Sequence, residues 1–150
     1  MNLKDKINED LKTAMKTGDK LRLETIRSIR ALILEFEKSG KGNELNSDEE
    51  LKMLNGAVKK RRDSIEQFCL GGRTDLAKKE ELELDILMHY MPKQLTEAEV
   101  SIEVKMIADE INVKGKEDFP KLMSKAAQLL KGKTEGKIIK AEVDKYLDKI

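Results

Sequence analysis

The chain has 150 residues, a formal net charge of +1 and 39% charged residues, with aromatics at 3% and no tryptophan. That length admits one ordinary domain or two small ones, and so few aromatics leave any core to Leu, Ile, Met, Val and Ala. Near-neutral charge gives no global pull toward nucleic acid or membrane, and no apolar run approaches the ~20 residues that span a bilayer.

A lone cysteine, Cys69, excludes a disulfide framework and a Cys-rich zinc site. The start, Met1 to Lys6, lacks the apolar stretch of a secretory signal. A reducing cytoplasmic location is therefore expected. Glu, Lys and other straight-chain residues lose little rotamer freedom in a helix, and only two prolines interrupt the sequence. The expected fold class is all-α.

In chain order, Asn2 is a good cap for a first helix with Leu3, Ile7, Leu11 and Ala14 on one face, stopped at Gly18. A second helix follows Asp19 and carries Leu23, Ile26, Ile29, Ile33 and Phe36 in one stripe. Lys38 to Asn43 reads as a loop by composition. Ser47-Asp48-Glu49-Glu50 has the form of a capping box opening a third helix, with Leu51, Leu54, Val58, Ile65 and Phe68 as its apolar positions. Gly71-Gly72 ends it. A fourth helix spans about Thr74 to Tyr90, closed by Pro92.

A second capping box, Thr96 to Glu99, opens a fifth helix with Val100, Val104, Ile107 and Ile111. The sixth holds Phe119, Leu122, Met123, Ala126 and Leu129-Leu130 and ends at Gly132. Thr134 is placed to cap a seventh, which buries Ile139, Val143 and Leu147. The division expected is an N-terminal four-helix bundle over 1–92 and a C-terminal three-helix domain over 93–150. The second is marginal in size for a core of its own.

Chemistry-bearing motifs are sparse. Gly132-Lys133-Thr134 looks like the end of a phosphate-binding loop, but the pattern needs a glycine where Ala127 stands and a strand where a helix is expected. His89 is the only histidine and has no neighbouring ligands of metal-site spacing. Cys69, beside Phe68, reads as a packed thiol, and Glu80-Glu81-Leu82-Glu83 as a solvated face. No catalytic residue, metal or cofactor is expected.

Two basic features remain. Lys59, Arg61 and Arg62 form the first, and Arg61 falls at core spacing between Val58 and Ile65. It should therefore pair with a carboxylate, Glu24 or Glu35 being within reach of the expected packing, or else face a cleft. The second lies between Lys121 and Lys140, where six lysines face a single acid, Glu135. Lys125, Lys131, Lys133, Lys137 and Lys140 surround a turn that presents the amino end of the last helix, a combination suited to phosphate. With few aromatics to stack on bases, folded RNA fits better than single strands.

The chain resembles the YqeY family in the stretches LKDKINEDLKTA (3–14), DKLRLETIRSIR (19–30), VKKRRDSIEQF (58–68), Arg73 to Ala77, YMPKQLTEAEV (90–100) and KGKTEGK (131–137). The resemblance implies a helical bundle followed by a small helical domain. That domain is similar to the tail of the B subunit of the glutamine-dependent amidotransferase acting on Glu-tRNA(Gln) or Asp-tRNA(Asn). In that enzyme the tail helps hold tRNA, while the chemistry resides in parts with no counterpart here. The carry-over rests on Lys131, Lys133 and Lys137; Pro120 departs from the glycine common in related sequences.

These readings give an expected role as a non-catalytic accessory protein associated with tRNA or another folded RNA, or with a protein of the translation or aminoacylation machinery. Neither membrane nor DNA is an expected partner. The alternatives are a helical protein–protein interaction module without RNA, and a component of a glutamine-dependent carbon–nitrogen ligase.

Overall fold

The computed structural model describes residues 2–40 and 45–150, so most of the expected loop after Lys38 lies outside the described residues. Among them the chain is all-α. Its helices are α1 (Leu3–Thr17), α2 (Lys20–Lys38), α3 (Ser47–Leu70), α4 (Thr74–Met88), α5 (Glu97–Glu110), α6 (Phe119–Leu129) and α7 (Gly136–Lys149), with a 3-10 turn over Lys116–Asp118. The chain divides into two compact units, Met1–Met91 and Pro92–Ile150.

In the first unit the polar residues at helix ends do what their types allow. The Asn2 side chain accepts from the Asp5 amide at 2.8 Å, and Gly18, at φ 72°, turns the chain so that Asp19 can cap α2. This two-residue link folds α2 back along α1. Lys4 reaches Glu37 at 2.8 Å, and the Arg30 Nε donates to Asn8 at 3.2 Å. Gly72 likewise adopts a left-handed φ of 73°, and the Arg73 amide returns to the Phe68 carbonyl at 2.8 Å, the hydrogen bonding of a Schellman end. That close turn brings α4 back on α3.

The core of this unit is Leu3, Ile7, Ala14, Ile26, Ile29, Ile33, Leu54, Val58 and Leu87. Burying each Ile or Leu contributes about 1.5–3 kcal/mol. Tyr90, just past α4, donates its hydroxyl to Asp10 and lies under the Lys6 ammonium, 5.4 Å from the ring centroid. Burial and the neighbouring carboxylate together push the Tyr90 phenol well above its ordinary range.

Three sequence expectations need correction here. The cap of α3 is Asn46, which accepts from the Glu49 amide at 2.8 Å; Ser47 is already helical. Glu50 does not close a box because its carboxylate accepts from the Leu3 amide at 3.3 Å, serving α1 instead. Cys69 is exposed and is not a packed thiol, because its position near the end of α3 faces solvent while Phe68 beside it is half-buried. Glu83 is buried at 9% exposure and is no part of a solvated face.

The second unit has its own aliphatic core, formed by Val100, Val104, Ile107, Ala108, Leu122, Ala126, Leu130, Ile139, Val143 and Leu147. The Thr96–Glu99 capping box forms as the sequence indicates, with reciprocal bonds of 3.1 and 3.2 Å. Those bonds hold the Glu99 carboxyl below its ordinary range. Pro120 sits in the first turn of α6, where its missing N–H costs nothing. The cap of α7 is Glu135, not Thr134, because Thr134 is held one step earlier in a bridge to Lys131.

Gly56 lies in the middle of α3, is exposed, and has no atom within 4 Å of where a Cβ would stand. Nothing in the fold therefore requires glycine, whose backbone freedom makes a helix interior less stable than alanine does. Gly56→Ala is expected to stabilise the first unit by about 0.5–1 kcal/mol, measured by urea denaturation.

Candidate nucleic-acid interface

In the second unit α6 ends at Leu129 with Leu130 as its C-cap, and the chain reverses through Gly132 at φ 77° into α7. Two contacts from the segment before α5 hold this reversal. The Gln94 side-chain amide donates to the Gly132 carbonyl at 2.7 Å, and the Leu95 amide donates to the Lys133 carbonyl at 2.8 Å. The Lys133 amide in turn donates to the Leu130 carbonyl at 3.0 Å. A turn that would be pliable by composition is thus tied on both sides. Sequence reasoning passed over Gln94, because a single polar residue after a proline carries no periodic or motif signal.

The tied turn displays the lysines. Lys131 and Lys133 are exposed on it, and Lys137 and Lys140 are exposed one helical turn apart on α7. Ile139 and Val143 point the other side of α7 into the core, which forces these ammoniums outward. Lys125 is half-buried on α6. Among the described residues Lys125, Lys131, Lys133 and Lys137 form no salt bridge, whereas Lys140 meets Asp144 at 3.4 Å. That pair is exposed and worth little. Lys121 is directed elsewhere, donating to the Ile111 carbonyl at 2.7 Å.

Other features of the turn suit an anion. The Glu135 side chain makes no cap hydrogen bond to the first turn of α7, and the Thr134 hydroxyl is buried without a hydrogen-bond partner among the described residues. Helix amides and uncompensated ammoniums together favour a phosphate oxygen. The aromatic side chains of this unit, Phe119 and Tyr146, are half-buried against its core. The chemistry available is charge and backbone recognition.

The first unit's basic feature is assembled differently. Lys59 is exposed, but Arg61 is largely buried and its guanidinium bonds both Glu80, at 3.2 Å, and Glu83 on α4. It also donates to the Ser28 hydroxyl on α2 at 3.1 Å. The expectation of a carboxylate partner holds, but its source is α4 rather than Glu24 or Glu35 of α2. Core spacing identified the buried position; only the packing of α4 identified the partner. Arg62 is half-buried, and desolvation lowers the pKa of its guanidinium. Of the three, Arg61 is therefore neutralised and Lys59 is the one freely presented to solvent. His89 is exposed at the end of α4.

Two outcomes test this geometry. Arg61→Met alone strands Glu83 and is expected to cost about 3 kcal/mol, while adding Glu83→Leu recovers most of the loss; denaturant titration of both variants decides it. Gln94→Ala is expected to speed amide hydrogen exchange at Lys133 at least severalfold while leaving α5 protected, read by NMR.

Among the described residues, no group of histidine, cysteine and acid side chains is arranged to hold a metal, and no helix is long and apolar enough to cross a membrane. Comparison with known proteins finds that the family model described as "Yqey-like protein" matches residues 4–147. Relatives include proteins named "Altered inheritance of mitochondria protein 41, mitochondrial". The Lachancea thermotolerans protein is 32% identical over 67% of this chain and 54% of its own length. That of Saccharomyces cerevisiae is 33% identical over 72% of this chain and 60% of its own length. A Pyrenophora tritici-repentis relative is 31% identical over 85% of this chain and 71% of its own length. The chain thus spans less than two thirds of the first two. Their names correct the expected cytoplasmic location, since these relatives are mitochondrial proteins. A single thiol speaks to redox chemistry and does not distinguish one address from another. With nearly its whole length matched, the chain belongs to the YqeY family.

Proposed function

We propose that this protein is an RNA-associated accessory protein whose second unit holds folded RNA, tRNA being the favoured class, by its phosphate backbone. The observation that carries the reading is the tied turn at Gly132, whose backbone presents exposed Lys131 and Lys133 ahead of Lys137, with no salt bridge to any of them among the described residues. A rigid display of ammoniums loses less freedom on binding than a mobile one, so its charge is better used. Lys125 and Lys140 flank this centre, and the amino end of α7 adds backbone donors. Lys59 on the first unit offers a further, separate contact. The tail resemblance of residues 131–137 supports tRNA over other folded RNAs.

The role assigned is binding and presentation, with any chemistry supplied by a partner. Binding of bulk tRNA, followed by fluorescence anisotropy at 50 and 200 mM salt, is the test. Binding should weaken steeply with salt, because phosphate contacts release counterions. Changing Lys131, Lys133 and Lys137 together to Ala should weaken binding by about tenfold or more and lower the logarithmic salt slope by about three. No binding at low salt, or an unchanged slope in the triple variant, would remove the proposal.

A further inference from the structure

The first unit contains a groove that the RNA reading does not use. It runs between α2 and α3, encloses about 770 Å³, and has Ile29, Leu32, Met53 and Leu87 among its apolar lining. Along α3 it extends from Glu49 to Ser64. At 1.5 Å per residue that is about 22 Å, or roughly four helical turns. A length of that order suits an elongated occupant better than a compact small molecule.

The rim on α3 has a definite chemistry. Lys52, Gly56 and Lys60 follow one another at four-residue intervals, so they lie on one face, and all three are exposed. Neither lysine forms a salt bridge among the described residues. The other cation of the groove, Arg61, is already neutralised by Glu80 and Glu83. Glu49 is the first α3 residue of the groove's lining. Between the two lysines Gly56 leaves a gap, since nothing stands within 4 Å of a Cβ built there. Glycine at such a point lets another backbone approach closely.

We propose that this groove receives an amphipathic helix of another polypeptide, its apolar face on the groove floor and its carboxylates against Lys52 and Lys60. The close approach at Gly56 seats the backbone of the incoming helix, and the two lysines select acidic flanks over basic ones. This is helix-in-groove recognition, in which spaced apolar anchors supply affinity and flanking charge supplies selectivity. The site is independent of the lysine turn in the second unit.

The test uses the full chain and two synthetic 18-residue helical peptides, each with a leucine face, one flanked by Glu and the other by Lys. Fluorescence anisotropy should show the Glu peptide binding at least tenfold more tightly. Gly56→Leu fills the gap and should weaken that binding tenfold or more, with circular dichroism confirming the helical content. Lys52→Glu with Lys60→Glu, both exposed changes, should reverse the preference between the peptides. The Lys131, Lys133 and Lys137 alanine variant should bind the Glu peptide as the unaltered protein does. Equal binding of both peptides, no binding of either, or binding indifferent to Gly56→Leu would overturn the proposal. So would self-association of the chain abolished by Gly56→Leu without peptide binding, which would assign the groove to a second copy. Displacement of the peptide by a fatty acid but not by excess unlabelled Glu peptide would overturn it as well.

Discussion

Arg61 occupies the side of α3 that the apolar spacing turns inward, and the first unit is organised by how that charge is met. Desolvating a guanidinium is tolerable only when its donors find acceptors of good geometry. Two carboxylates from α4 and a hydroxyl from α2 provide them, so one side chain links three helices. Those directional bonds add to the orientation that ridge-into-groove packing of the aliphatic side chains gives the helices. The groove between α2 and α3 opens beside this node, where the polar bridge takes the place of close apolar packing.

The second unit solves a different problem. It is too small to rely on core volume alone, and its ends and turn are secured by hydrogen bonds. The capping box at Thr96 and the pair of bonds from Gln94 and Leu95 to the turn after α6 act on neighbouring parts of the chain. The residues that stabilise the fold here are therefore the same ones that present the lysines.

The two units thus divide their surfaces by chemistry. One offers an apolar groove with a basic rim, and the other offers a basic turn. Membership of the YqeY family accounts for both units, as the family match runs through nearly all of the chain.

Much of this was legible in the residues themselves. Helical periodicity, glycine stops and the Thr96 box are local properties, decided by interactions within a few residues, and the all-α class and the buried stripes of α2, α5 and α7 follow from them. The position of Arg61 at core spacing was legible for the same reason. Its partners were not, because Glu80 and Glu83 come from a different helix whose rotation no local pattern sets. Choosing Asn46 over Ser47, or Glu135 over Thr134, as a cap also escaped the sequence. Asn46 and Ser47 have similar capping ability and are separated by a distant demand, the Leu3 amide on Glu50, whereas Thr134 is taken by the short bridge to Lys131. By itself the sequence determined which segments are helices, which faces are apolar and where lysines accumulate. Tertiary structure alone decided that Glu83 is buried, that Gln94 ties the lysine turn and that Gly56 borders an open groove, since each depends on contacts between residues distant along the chain.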